Sequence, residues 1–91
     1  MLHLVVYDIA SAKRLRKVAR ACEDYGVRVE KSVFECELTD AQFAEFWGQI
    51  VSVVNEDVDS VIDYPIGLLD RGKIRTIGGM VHNEVQETYV F

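Results

Sequence analysis

The stretch Leu2-His3-Leu4-Val5-Val6-Tyr7-Asp8-Ile9 decides the fold, because it reads as a short apolar strand that ends on a carboxylate and hands over to a basic helix. Runs of this composition are buried inside sheets, so Asp8 is expected at a sheet rim, where a lone acid can hold a metal. The same position equally suits a turn or helix-capping aspartate. Position alone does not separate the two.

Outward from that strand, Leu15, Val18, Ala19 and Cys22 recur at helical spacing. Ser11 stands as the N-cap and Gly26 as the terminating residue, which predicts a helix over 12–25. Lys13, Arg16, Lys17 and Arg20 repeat at i, i+3, i+4 and i+7 and form a second stripe on a different face. One face packs while the other attracts anions. From Val27 to Cys36 the composition becomes β-rich. Strict alternation there puts Val27, Val29, Lys31, Val33 and Glu35 on one side, and Arg28, Glu30, Ser32, Phe34 and Cys36 on the other.

Thr39 and Gln42 have capping-box spacing ahead of a second helix, whose expected buried stripe is Phe43, Phe46, Trp47, Ile50, Val51 and Val54. Residues 58–66 read as a strand closed by Pro65 and Gly67, and Ile74 to Ile77 as a further short strand after the Asp70-Arg71-Gly72 turn. Beyond Gly78 and Gly79, which read as a hinge, Val85 to Phe91 alternate as a terminal strand. The order is βαββαβ-like. It predicts a ferredoxin-like α/β sandwich with an antiparallel sheet, the first and third strands in the middle and both helices on one face. The expected division is a domain over 1–78 and a C-terminal strand extension over 79–91. An exposed Tyr89-Val90-Phe91 would be a liability, so this strand is expected to cover a sheet edge, its own or that of a partner in a homodimer.

Ninety-one residues allow one domain with a small core, which favours a site at a surface or subunit interface. Two cysteines, Cys22 and Cys36, are too few for a disulfide scaffold and read as packed thiols; no CxxC pair suggests zinc. The chain shows no leader and no apolar run able to cross a bilayer, so it reads as cytoplasmic, with no membrane partner. The net charge of −5 is segregated along the chain. Residues 1–36 carry seven bases against five acids, and residues 37–70 carry eight acids and no base. Local binding of polyanions is therefore compatible with the acidic total. His3 and His82 lie far apart without companion ligands and do not suggest an imidazole metal site.

Val6-Tyr7-Asp8-Ile9, Lys13-Arg14-Leu15-Arg16-Lys17-Val18, Tyr25-Gly26-Val27-Arg28-Val29 and Ser32-Val33-Phe34-Glu35-Cys36 together resemble the small CRISPR-associated adaptation protein family, described as endoribonucleases and partners of the spacer-integrating nuclease. The resemblance implies a homodimer of ferredoxin-like subunits, with Asp8 of each subunit facing the other across a two-fold axis at a site for Mg2+ or another divalent cation. It also implies Tyr7, Arg14, Arg16, Arg28 and Phe34 as positions active in cleavage or supporting it. Two facing carboxylates repel unless protonated or bridged by a cation, which is an independent reason to expect metal there. Where acidic residues often follow the Tyr-Asp-Ile segment in the family, this chain has Ala10-Ser11-Ala12, so a supplementary ligand is missing.

Two functional classes follow. One is a metal-dependent nuclease acting on single-stranded RNA or duplex DNA, with Asp8 as ligand. The other is a noncatalytic dimer that bridges integrase subunits and guides duplex DNA. For Arg14 and Arg16 phosphate contact stands beside an ordinary solvated helix face, and for Arg28 and Phe34 substrate contact stands beside packing.

Overall fold

Two capping interactions set the helices. Ser11 keeps an extended backbone and its hydroxyl accepts the Arg14 N–H at 3.3 Å, which starts α1 (Ala12–Tyr25). Thr39 and Gln42 bond reciprocally, the Gln42 N–H to Thr39 Oγ1 at 3.1 Å and the Thr39 N–H to Gln42 Oε1 at 2.9 Å, and so start α2 (Asp40–Val53). At the other end of α1 the Gly26 N–H donates to the Cys22 carbonyl at 2.8 Å, and the extended backbone at Gly26 leads straight into the next strand.

The computed structural model describes residues 1–78. Around the helices it places β1 (Leu2–Asp8), β2 (Val27–Glu30), β3 (Val33–Glu37) and β4 (Ser60–Ile66), followed by a single helical turn, α3 (Leu68–Arg71). The strands form one antiparallel sheet in the order β2-β3-β1-β4, with β1 and β3 central. This is the expected ferredoxin-like α/β architecture. Pro65 lies in an edge strand of the described sheet, where its missing N–H is tolerated.

The sheet's alternation divides β1 between two environments. Val5 and Tyr7 join Phe34 and Cys36 of β3, Val18, Ala21 and Cys22 of α1, and Phe46 and Ile50 of α2 in the core. Fully burying a side chain the size of Phe46 or Ile50 stabilises the fold by roughly 1.5–3 kcal/mol. Leu4, Val6 and Asp8 point to the opposite face, in register with Tyr64, Ile62 and Ser60 of β4. Ile62 and Tyr64 are 47% and 50% exposed, so a large part of this helix-free face meets solvent.

Several sequence expectations are corrected here. Residues 74–77 are not a strand: the chain forms α3 at 68–71, and Asp70 and Arg71 lie inside that turn of helix. Extended composition at Ile74 to Ile77 does not suffice: among the described residues this segment pairs with no strand. Val51 lies outside the buried stripe of α2 and is 53% exposed, while Val53 packs against the core. Between β2 and β3, Lys31 and Ser32 form a turn, and a register shift at Arg28/Glu30 pairs Glu30 with Val33, so strict alternation fails at Glu30. The terminal strand, and with it the division at residue 79, lies outside the described residues. No helix among the described residues is long and apolar enough to cross a membrane.

Candidate functional site

Asp8 is the last residue of β1, paired across the sheet with Ser60, and is solvent-exposed. Its carboxylate makes no hydrogen bond or ion pair among the described residues. Tyr7, one position earlier, is turned inward and only 4% exposed. Period-two alternation therefore separates these two neighbours completely.

Tyr7 belongs to a packed group with Phe34 and Arg28. Its ring lies 6.2 Å from that of Phe34, its hydroxyl donates to the Lys31 carbonyl at 3.3 Å, and burial raises its pKa. The Arg28 guanidinium sits over the Phe34 ring at 4.8 Å, donates to the same Lys31 carbonyl, and reaches Glu23 at 3.5 Å. Such a stack of cation and ring ties the β2–β3 turn to the core. All three side chains thus lie away from the face that carries Asp8.

Arg14 and Arg16 also part company. Arg16 is exposed together with Lys13, Lys17 and Arg20, and none of the four cations has an ion-pair partner among the described residues. Arg14 instead forms a forked pair with Asp59, Nε to Oδ2 at 2.7 Å and Nη2 to Oδ1 at 3.2 Å. The Asp59 carboxylate, whose side chain is fully enclosed, also accepts the Ala10 N–H at 2.9 Å and the Asn55 N–H at 2.8 Å. The Arg14 guanidinium and the two backbone donors hold its pKa well below the usual carboxylate range, against the opposing effect of burial.

Sequence reasoning missed Asp59. It closes the acidic run Asn55-Glu56-Asp57-Val58-Asp59 at the start of the stretch read as a strand over 58–66, and its partners Arg14 and Ala10 lie 45 and 49 residues away. His3 and Asp63 form a second pair that escaped notice, Nδ1 to Oδ1 at 2.8 Å, with the imidazole stacked 4.3 Å from Phe43. Both thiols are buried as expected, and burial pushes Cys22 up to about 12 and Cys36 up to about 11. Such thiols stay protonated and do not act as nucleophiles at neutral pH.

The described residues contain no group of three His, Cys, Asp or Glu able to hold a metal. Asp8 offers one carboxylate, a hard oxygen ligand, per chain. That donor set suits magnesium, which is commonly held by one or two carboxylates with water completing its octahedron, and does not suit zinc. Asp59 is saturated by its four donors and offers nothing further to a cation.

Residues 1–74 match the family model described as CRISPR associated protein Cas2. The chain belongs to the Cas2 family. It is thus part of the CRISPR adaptation module, in agreement with the motifs of its first forty residues. The chain is 35% identical to the CRISPR-associated endonuclease Cas2 of Halalkalibacterium halodurans, with both chains covered in full. It is 37% identical to the CRISPR-associated endoribonuclease Cas2 of Nitratidesulfovibrio vulgaris, over 86% of this chain and 81% of the relative. Among solved structures it is similar to Streptococcus pyogenes Cas2, with a TM-score of 0.75 and 38% identity over 86% of this chain and all of the other. A hypothetical protein from Thermus thermophilus superposes with a TM-score of 0.81 and 29% identity, covering 91% and 96% of the two chains. Both share the ferredoxin-like fold of this family member, the first as a Cas2 protein.

Proposed function

We propose that this Cas2-family protein works in the cytoplasm as a homodimer, supports spacer acquisition together with the CRISPR-associated integrase, and presents α1 to duplex DNA. The observation that carries the reading is the exposed row Lys13, Arg16, Lys17 and Arg20 along one helix, without ion-pair partners among the described residues. Unpaired cations at that spacing track a phosphate backbone and release counterions on binding. Dimerisation is supported by the helix-free face, where Val6, Ile62 and Tyr64 form an apolar patch beside Asp8. Burying that patch against a second copy removes apolar surface from water and brings a second Asp8 within reach. The segment 79–91, with its alternating Val85 to Phe91, is proposed to dock on a sheet edge of the dimer.

Within that dimer, Asp8 is proposed to hold Mg2+ or another divalent cation for cleavage of phosphodiesters in single-stranded RNA or duplex DNA. When bound, such an ion supplies charge neutralisation at the phosphate and a more acidic water. Asp8 acts as ligand and not as general base, and the α1 cations hold the substrate backbone. The names of the relatives, endonuclease and endoribonuclease, support this activity. The alternative is a noncatalytic, duplex-binding subunit, favoured by the sparseness of one available carboxylate per chain and by the absence of a three-ligand cluster among the described residues.

Magnesium-dependent cleavage of labelled single-stranded RNA and duplex DNA, by wild type beside Asp8→Asn, separates the two. The nuclease reading expects loss of at least a hundred-fold in rate, on the order of what removing an essential electrostatic group costs, with the dimer intact. Equal activity of the two proteins rejects Asp8 as the metal ligand. Inactivity of both, with duplex binding retained, selects the assembly role.

A further inference from the structure

Four donors converge on the Asp59 carboxylate from three separate parts of the chain. Ala10 belongs to the crossing from β1 to α1, Arg14 to the first turn of α1, and Asn55 to the segment that follows α2. Ala10 stands two residues beyond Asp8, and Ser60, the residue after Asp59, is the strand partner of Asp8. The carboxylate therefore holds the chain just beyond Asp8 through Ala10, and it belongs to the residue that precedes the strand partner of Asp8. Its side chain is fully enclosed, so solvent cannot replace these bonds. A carboxylate saturated in this way is poorly suited to bind a cation itself.

From this geometry we infer that Asp59 is a positioning residue for Asp8, and that Arg14 is the internal strut of the same clamp and not a phosphate contact. This rests on the proposal that Asp8 holds a divalent cation. Asp8 ends a strand, so its backbone is held on one side by the pairing with Ser60 and on the other by the crossing to α1. Asp59 removes the freedom of that crossing by pinning the Ala10 N–H while Arg14 ties the same carboxylate to the helix start. A ligand held in place by its surroundings binds metal with less loss of conformational freedom.

The test uses Mn2+ as probe, with the free ion followed by its electron paramagnetic resonance signal, together with amide hydrogen exchange on the full chain. Asp8→Asn should abolish site binding. Asp59→Asn, which keeps the shape but loses the charge that holds Arg14, should weaken Mn2+ binding by about ten-fold, the low end for residues that orient a ligand. Exchange at Ile9, Ala10 and Ser11 should quicken in the same variant while Cys22 and Ile50 keep their protection. Asp59→Glu, which restores the charge, should recover part of the affinity. Thr39→Ala weakens the cap of α2 beside the opposite end of β1 and should leave Mn2+ affinity unchanged, so a general loss of stability cannot mimic the effect.

Unchanged Mn2+ affinity in Asp59→Asn overturns the inference, as does an equal loss in Thr39→Ala. If wild type and Asp8→Asn bind Mn2+ alike, the reading of Asp8 fails instead. Exchange then decides Asp59 alone: quickening confined to residues 9–11 upholds it as the anchor of that crossing, and unchanged protection rejects it.

Discussion

Gly26 shows how strictly one residue can be required without any unusual backbone angle. A Cβ added there would overlap Cys36 Sγ and stand 2.5 Å from the Glu35 carbonyl oxygen, because α1 hands over to β2 directly against β3. Gly26→Ala is expected to destabilise the fold by about 1–3 kcal/mol, read as a lower urea midpoint with an unchanged slope. Asp59 carries the clearest dependence on pH. Its folded pKa is depressed below the ordinary value of 3.8, so the stability it contributes is complete above that value and is lost as pH falls below it. Urea midpoints measured from about pH 5 down to about pH 2 should fall in wild type. They should fall less steeply in Asp59→Asn, and identical slopes would assign the acid sensitivity to other carboxylates.

Among the elements, α1 carries three separate duties on three faces. Val18, Ala21 and Cys22 enter the core, Arg14 closes on Asp59, and Lys13, Arg16, Lys17 and Arg20 face solvent. Removing the charge of Arg16 or Arg20 should make the dependence of duplex-DNA affinity on salt shallower by about 0.9 in log–log slope for each phosphate left without its cation. Arg14→Gln should leave that slope unchanged, because its guanidinium is already engaged. A slope insensitive to both the Arg16 and the Arg20 substitution would remove α1 from the interface. Helix boundaries are legible in the sequence because capping chemistry is local: Ser11, Thr39, Gln42 and Gly26 all act within four residues of their partners. Residues 74–77 are not, because a short β-prone segment becomes a strand only where an edge accepts its hydrogen bonds.

For the whole molecule, the decisive surface is the helix-free face of the sheet. Leu4, Val6, Ile62 and Tyr64 gather there, and a single sheet with helices on one side leaves such a face to be covered by something else. Ile62→Glu is expected to convert the proposed homodimer to monomer in sedimentation equilibrium, because it would bury a charge in an apolar interface. Ala44→Glu, on the exposed side of α2, should leave the dimer intact. A dimer that survives Ile62→Glu would place the interface elsewhere.

Legible in the sequence were the order of elements from β1 to β4, the limits of α1 and the start of α2, the burial of both thiols, and the emergence of Asp8 at the end of a central strand with Tyr7 turned away from it. Each of these follows from period, capping or alternation, which are properties of neighbouring residues. Tertiary structure alone decided how the six candidate residues are grouped. Tyr7, Arg28 and Phe34 came together around the β2–β3 turn, Arg14 closed on an aspartate 45 residues away, and Asp8 and Arg16 stayed exposed. No local pattern distinguishes Asp59 from its acidic neighbours Glu56 and Asp57. Its place became visible only when folding brought Ala10, Arg14 and Asn55 around one enclosed carboxylate, where burial makes every hydrogen bond obligatory.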